Sequence, residues 1–443
     1  MAKNKELTLK PTRRLNIGLL FILATLFITV SLWYLAKSDF VSEVTSSPML
    51  AATQIVSLLG TVLLSWSMLL STRLNFLETI FSGLDKLYVM HKKVSIYGML
   101  LLFAHPLTLA LTRFPDTIFQ LKFFLPIHGQ LTLDLGVISF WIFIILTVIT
   151  LFIKLPYETW RWFHKFYGLA LAFGFLHLLT VPSDTTIYPV LGYWMIGITG
   201  TGLAAYLYTQ FFYKKITPHY RYSVSNIQQK GDTFLLSLKP KNRKMNYAPG
   251  QFAYISFIDS QVKKELHPFS ITSHPDEPQL SFAIKALGDF TKSLSSLRTG
   301  DTAVIYGPYG RFYEVADDHF SDLVFISGGI GVAPFVSMIK EVAKQQANRK
   351  VSMYYCTKCK TDACFDLLLT EILDTVPNAL YLNQCSEING RLTADTLMKR
   401  ISNIANTKVL FCGPHAMMQS IARALVHHGV PKSNIIIEDF SFT

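Results

Sequence analysis

Six stretches within the first 213 residues lack Asp, Glu, Lys and Arg: 15–36, 44–72, 94–112, 135–153, 166–183 and 185–213. A helix crossing a bilayer needs about 20 such residues. So many apolar runs in half a chain cannot all be buried in a water-soluble core, so a six-helix membrane bundle is expected over 1–213. Only Asp184, in the turn-like Pro182-Ser183-Asp184-Thr185, separates the last two runs. Pro189 follows it, so two helices are read there rather than one. The first run follows Lys10, Arg13 and Arg14, as a signal peptide would. Its length, and the lack of a clear small-x-small cleavage site, favour a retained helix.

The composition changes at Lys214. The first 213 residues carry 24 charged side chains and the remainder carries 46. The second part is therefore expected to be soluble. The net charge of +12 divides evenly between the two parts. No basic tail or patch stands out, and nucleic acid is excluded as a leading partner. All five cysteines (Cys356, Cys359, Cys364, Cys385, Cys412) lie in the second part. An odd number without regular spacing reads as reduced, cytosolic thiols rather than a disulfide framework.

Loop charges give the orientation. With the N-terminus inside, twelve Lys and Arg fall in the inner segments: five before the first helix, then Arg73, Lys86, Lys92, Lys93, Lys154, Arg161 and Lys165. The outer loops hold only Lys37, Arg113 and Lys122. The excess places the inner loops, both termini and the soluble part in the cytoplasm of a cell-membrane protein.

Four histidines then pair by depth. His91 and His105 bracket the third run, and His164 and His177 bracket the fifth. Both helices start on the inner side, so His91 and His164 share the inner level and His105 and His177 the outer one. Two neutral imidazoles at one depth can supply both axial ligands of a haem, and here the arrangement occurs twice. The alternative is interfacial histidine or polar glue between helices. Gly98, midway between the two histidines of its helix, is read as leaving room for a macrocycle or simply as helix packing. Thirteen residues, unlike fourteen, place His164 and His177 on different faces of an ideal helix.

From Tyr220 to about Glu314 the pattern is short and β-rich. Phe234–Leu238 and Phe252–Phe257 alternate or run apolar between Pro249-Gly250 and Gly300-Asp301, as in a small barrel or sandwich. Leu323–Ile326 then reads as a buried strand entering Ser327-Gly-Gly-Ile-Gly-Val-Ala-Pro334, followed by a periodic helix over 335–347 and a strand Val351–Tyr355. Strand, glycine turn, helix and strand form a βαβ unit whose glycines would let a dinucleotide pyrophosphate approach a helix N-terminus. Cys356-x-x-Cys359 has no second cysteine pair to complete a structural zinc site.

These segments occur in a family order. His267-Pro268-Phe269-Ser270-Ile-Thr272 resembles the flavin segment of ferredoxin reductase-like dehydrogenases, in the form typical of NADPH oxidases and ferric reductases. Gly288-Asp-Phe-Thr291 with Leu294 is similar to their second flavin motif, and Gly307-Pro-Tyr-Gly310 follows. Gly328-Gly329-Ile-Gly331-Val-Ala-Pro334-Phe335 resembles the nicotinamide nucleotide turn. Phe411-Cys412-Gly413-Pro414 resembles the segment beside the nicotinamide, and Glu438-Asp-Phe440 the C-terminal element whose aromatic covers the flavin. The histidine spacings match the bis-haem helices of the NADPH oxidase/ferric reductase superfamily, bacterial-type.

The resemblance implies a six-helix membrane haem domain (1–213), a cytosolic FAD-binding β-barrel (214–318) and an α/β Rossmann-like NAD(P)H-binding domain (319–443). It implies FAD, two b-type haems on His91, His105, His164 and His177, and NADPH or NADH. Ser270 would bond the flavin near N5, and Phe269 would offer it a ring. His267, where soluble relatives carry Arg, is a weaker anchor for the FAD pyrophosphate, and Thr291 could donate to that group instead. Lys358, with Lys360, follows the second βαβ strand, where a 2′-phosphate would sit. Cys412 would border the hydride-transfer site, and Phe440 would cover the flavin. The lipid bilayer and NAD(P)H are the expected partners, with an external acceptor and no obligatory protein partner. A ferric chelate is favoured as that acceptor, because Leu109 stands where the family's superoxide producers carry a further His. Oxygen reduction, delivery to a periplasmic protein and a haem-free flavin reductase are the alternatives.

Overall fold

The computed structural model describes residues 17–112, 124–125, 129–258, 260–316, 321–346, 349–401 and 403–438. The chain divides into two compact units at Thr217/Pro218.

The first unit is helical. Its main elements are α1 (Ile17–Leu35), α2 (Pro48–Leu70), α3 (Leu84–Leu111), α4 (Leu131–Phe152), α5 (Tyr157–His164), α6 (Tyr167–Thr180) and α7 (Pro189–Leu207). Among the described residues, five helices are long and apolar enough to cross a membrane: α1, α2, α3, α4 and the run Pro189–Ile216 that begins as α7. Six were expected. The difference lies at 166–183, where α6 has 14 residues and is too short to cross alone. Elsewhere the charge-free runs misplace helix ends rather than helices. α3 begins ten residues before its apolar run, through Asp85, Lys86, Lys92 and Lys93, because a helix does not end where its residues become charged.

Apolar side chains face outward on these helices, as Phe27, Phe152, Val190 and Tyr193 do. In lipid, helices associate through close packing and interhelical hydrogen bonds rather than a hydrophobic drive. Both appear here. The indoles of Trp66 (α2) and Trp194 (α7) donate to the Thr25 and Thr29 hydroxyls of α1 at 2.8 and 2.9 Å. A Cβ at Gly98 of α3 would lie 3.1 Å from the Leu63 side chain and 3.3 Å from the Gly60 carbonyl of α2. Of the two readings of Gly98, helix packing is the one the contacts support, and space for a macrocycle is not.

The second unit contains two sheets. β1 (His219–Lys230), β2 (Thr233–Pro240), β3 (Phe252–Ile258), β4 (His267–Ser270), β5 (Leu280–Lys285) and β6 (Thr302–Tyr309) pair antiparallel in the order β4-β3-β6-β1-β2-β5. The edges meet through an Ile271–Phe282 bridge and the Thr272 N–H donating to the Ser281 carbonyl at 2.9 Å, so the sheet closes into a barrel. Inward residues such as Tyr222, Val224, Leu236, Leu238, Ile255, Phe282 and Ile305 fill it. Closure leaves β4 on the barrel wall with half-buried side chains.

β7 (Asp322–Gly328), β8 (Val351–Thr357), β9 (Ala379–Cys385), β10 (Thr407–Cys412) and β11 (Ile435–Ile437) form a parallel sheet in the order β11-β10-β7-β8-β9. The chain runs outward from β7 to β9, then returns to the other side of β7 with β10. The strand order therefore reverses between β7 and β10, and in open parallel sheets ligands bind at the carboxyl ends of the strands flanking such a reversal.

Candidate functional site

In the membrane unit, His91 and His105 lie on α3, His164 ends α5 and His177 lies near the end of α6. Three of the four have the same support. The Nδ1–H of His91 donates to the Ser67 carbonyl of α2 at 2.8 Å, and that of His105 to the Thr53 carbonyl of α2 at 3.1 Å. The Nδ1–H of His177 donates to the Thr132 carbonyl of α4 at 2.7 Å. A carbonyl only accepts, so the proton is fixed on Nδ1 and the Nε2 lone pair stays available. This is how proteins hold a metal-ligating imidazole. A Cβ at Gly136 would stand 2.9 Å from the His177 Nδ1, so α4 can approach that ring only as glycine.

His164 is held differently. Its buried Nδ1 has no partner among the described residues. Its ring stacks on Trp160, one turn earlier, at 4.8 Å and 23°, and meets Tyr167 edge-on at 5.1 Å. The His91 and His164 ring centroids are 6.3 Å apart. Imidazole nitrogens bind transition metals at about 2.0 Å, so this separation would let both rings reach one iron. The donor set, the tautomers and the spacing fit haem. The phase mismatch between His164 and His177 has a structural origin: α5 and α6 break at Lys165-Phe166, so the two are not on one ideal helix.

In the second unit, β4 carries His267, Pro268, Phe269 and Ser270. His267 stacks on Phe290 at 4.0 Å, and its Nε2 lies 2.9 Å from Glu265 Oε2. Phe269 is nearly parallel to Phe290 at 6.3 Å. The Ser270 residue pairs with Phe252 across β3–β4, and Thr272 is buried at the barrel closure. Gly288 caps the short helix α8 (Asp289–Ser293). The Thr291 hydroxyl accepts from the Leu287 and Gly288 N–H groups and donates to the Gly288 carbonyl at 3.0 Å. Its proton is used on its own turn in this structure.

The nucleotide motifs meet at the strand reversal. A Cβ on Gly331 would lie 2.3 Å from the Cys412 carbonyl oxygen, and one on Gly328 would lie 2.5 Å from Pro414 Cδ. A Cβ on Gly413 would lie 2.8 Å from the Gly328 nitrogen. Gly329, at φ +54°, has open space instead. Pro334 lies in the first turn of α9 (Ala333–Gln345). Gly328, Gly331, Cys412, Gly413 and Pro414 therefore form one back-to-back pair of turns below the crevice, with Cys412 buried. Lys358 and Lys360 are exposed just beyond β8. Burial pushes the neighbouring Cys356 thiol up to about 12, so it is neutral at physiological pH.

The C-terminal segment approaches the flavin strand. The Glu438 N–H donates to the Phe411 carbonyl at 3.1 Å. A Cβ at Gly310 would lie 3.1 Å from both the Glu438 carboxylate and Phe252, the β3 partner of Ser270. Phe440 lies outside the described residues. Trp160 beneath His164 was missed by sequence reasoning, although its i, i+4 spacing was available as a signal.

A ferric reductase like transmembrane component model matches residues 56–175, and an FAD-binding domain model matches residues 219–417. Flavohemoprotein A of Dictyostelium discoideum is 27% identical over 233 residues, 48% of this chain and 58% of that protein. The propane 2-monooxygenase reductase component of Mycolicibacterium smegmatis is 27% identical over 225 residues, 47% of this chain and 64% of that protein. The chain spans less than two thirds of the length of these relatives. The flavohem-like FAD/NAD-binding domain of nitric oxide dioxygenase from Vibrio cholerae O1 biovar El Tor is 21% identical. It covers 50% of this chain and 98% of its own, at a TM-score of 0.44. With both models matched in order along its length, the chain has the architecture of the ferric reductase/NADPH oxidase superfamily, a multi-pass ferric reductase-like transmembrane component followed by an FAD-binding domain.

Proposed function

We propose that the chain carries electrons from cytosolic NAD(P)H through FAD and two b-type haems to an acceptor outside the cell membrane. The observation that carries this reading is the shared support of His91, His105 and His177, each with Nδ1–H on a backbone carbonyl and Nε2 left over. Such a bond would also hold helices together, but a spare Nε2 recurring in three of the four histidines, with the His91 and His164 rings 6.3 Å apart, is what a bis-histidine site requires.

In this reading residues 1–213 form the haem domain, 214–318 the FAD domain and 319–443 the NAD(P)H domain. Residues 157–180 make the sixth crossing as two short helices, α5 and α6, joined at Lys165-Phe166. The loop charges put both termini in the cytoplasm. His91 and His164 hold the inner haem, and His105 and His177 the outer. Bound flavin accepts a hydride and releases electrons singly, and bound haems pass them on one at a time. The protein positions these groups. The Ser270 hydroxyl donates toward the flavin, the Gly328–Pro334 turn receives the nucleotide pyrophosphate, and Cys412 borders the nicotinamide. Lys358 meets a 2′-phosphate, and Phe440 covers the flavin until nicotinamide displaces it.

If each histidine pair holds a haem through both rings, the acceptor would take its electron without binding iron. A ferric chelate suits that route, and Leu109, apolar and one turn beyond His105, offers no polar oxygen site. Oxygen reduction to superoxide is the second reading, since oxygen can also take an electron at the outer edge. Absorption spectra of purified membranes test the chain of cofactors. An intense b-type Soret band reduced by NADPH, with two haems per polypeptide, is expected. A haem-free preparation that still oxidises NADPH would overturn it.

Residues 220–443, expressed alone, are expected to fold as a soluble flavin reductase, because barrel and parallel sheet each have a complete apolar core. FAD affinity should be weak, since His267 lacks the permanent charge and bidentate fork of Arg. Dye reduction at saturating FAD is the assay, and a folded fragment that never oxidises NADPH counts against this division.

A further inference from the structure

The loop that follows the flavin strand is clasped to the helix that follows the nucleotide turn. Thr272 ends the flavin motif, and residues 273–277 lead away from it. α9 starts at the Gly331–Pro334 turn, and its Ser337, Lys340, Glu341 and Lys344 lie at i, i+3, i+4 and i+7, on one helix face. Every one of them meets the FAD barrel. The Ser337 hydroxyl, fully buried, accepts from the Gly250 N–H at 2.8 Å and donates to the Pro334 carbonyl at 3.1 Å. Lys340 donates to Glu277 Oε1 at 2.6 Å and to the Thr272 carbonyl at 3.3 Å. His274 Nε2–H donates to Glu341 Oε2 at 2.6 Å, and Lys344 pairs with Asp276.

The clasp is internally braced. His274 Nδ1 accepts from the Asp276 N–H at 3.2 Å, which keeps the ring proton on Nε2, facing Glu341. Glu277 Oε1 also accepts from the His274 N–H at 2.8 Å, and Gln345 donates to Glu341 Oε1 at 2.8 Å. Lys244 donates to the Pro275 and Glu277 carbonyls. Tyr247 OH shares a hydrogen bond with Ser273 Oγ at 2.8 Å and donates to the His274 carbonyl at 3.0 Å. Burial opposes ionisation of Glu341, but its bonds to His274 and Gln345 hold the carboxyl below its ordinary value. His274 is buried, and His274, Glu277, Lys340 and Glu341 lie outside the flavin and nucleotide motifs.

We propose that His274, Glu277, Lys340 and Glu341 are positioning residues for hydride transfer, fixing the nucleotide turn against the flavin strand so that nicotinamide reaches the flavin in register. The idea rests on the NAD(P)H-to-FAD reading above. The step balances on its two partners: a C–H bond of the dihydronicotinamide breaks, two electrons leave with that hydrogen as hydride, and the oxidised flavin takes it up. Misplacement of reacting groups by about 1 Å can cost on the order of 100-fold in rate, so loss of one clasp point is expected to slow the step about 10-fold.

The test uses the full-length protein in detergent with bound FAD. Stopped-flow bleaching of the flavin by NADPH and by NADH is measured for wild type, His274→Ala, His274→Gln and Lys340→Met, with FAD content and Tm alongside. His274→Ala and Lys340→Met should slow bleaching about 10-fold at saturating nucleotide while keeping FAD. His274→Gln, whose amide still donates to Glu341, should recover most of the rate. Unchanged bleaching in both disruptive variants overturns the proposal, as does a slowing that only tracks lost FAD or Tm, or a Gln variant as slow as Ala. A wild-type flavin that neither nucleotide bleaches overturns instead the reading on which the proposal rests.

Discussion

Membranes carrying His105→Ala or His177→Ala should lose reduction of the external acceptor almost completely while NADPH-dependent dye reduction by the flavin unit stays near wild type. Each variant removes one of two Nε2 donors at the outer level and leaves His91 and His164 in place. The inner site should keep its haem, so the content should fall from two to one per polypeptide. The carbonyls of Thr53 and Thr132, which orient these rings, would then lose their N–H partners, each exposed or repaired at a cost of about 1–3 kcal/mol. A modest drop in Tm is therefore expected, and haem content, not Tm, is the deciding measurement. Two haems and full acceptor reduction in either variant would show that these histidines are not ligands.

Much of the protein was legible before any coordinates, and the exceptions share a cause. Apolar runs located the helices because lipid rejects charge, but they could not find helix ends: α3 runs on through Lys92 and Lys93 to Leu84. Nor could they show that the run at 166–183 is a short helix broken from α5 at Lys165-Phe166. Glycine spacing marked the turn at 328–331 because strand, turn and helix are local in sequence. Its packing against Cys412-Gly413 was not legible, since that contact joins segments some eighty residues apart and depends on which strands become neighbours. Gly98, left open between macrocycle space and helix packing, shows the converse case. Its position between two histidines suggested a ligand face, while the helix it actually meets, α2 at Gly60 and Leu63, is specified by packing that periodicity does not encode. The Nδ1 partners of the histidines are backbone carbonyls, and any residue type supplies one, so no sequence pattern could have named Ser67, Thr53 or Thr132.

The turn at the strand reversal offers the second large effect, because neighbouring glycines there should fail for different reasons. Gly331→Ala places a methyl 2.3 Å from the Cys412 carbonyl oxygen and 2.6 Å from its carbon. Both are backbone atoms of a strand that is hydrogen-bonded to β7 on one side and β11 on the other. Neither turn can retreat without breaking that sheet, so the overpacking cost should reach or exceed about 3 kcal/mol. Gly331→Ala is expected to lower Tm and to abolish nucleotide-dependent flavin reduction together. Gly329→Ala meets no protein atom within 4 Å, and its cost is the left-handed backbone at φ +54°, about 1–2 kcal/mol. If a nucleotide pyrophosphate lies over that open side, the added methyl obstructs it. KM for NADPH should then rise at least 10-fold with only a small change in Tm. The added methyl would meet no barrel atom within 4 Å, so FAD content should be unaffected. Steady-state KM, FAD content and Tm of both variants decide the matter. A Gly329→Ala protein with wild-type KM would move the pyrophosphate away from this turn, and a Gly331→Ala protein with wild-type Tm would show that the two turns are not packed as described.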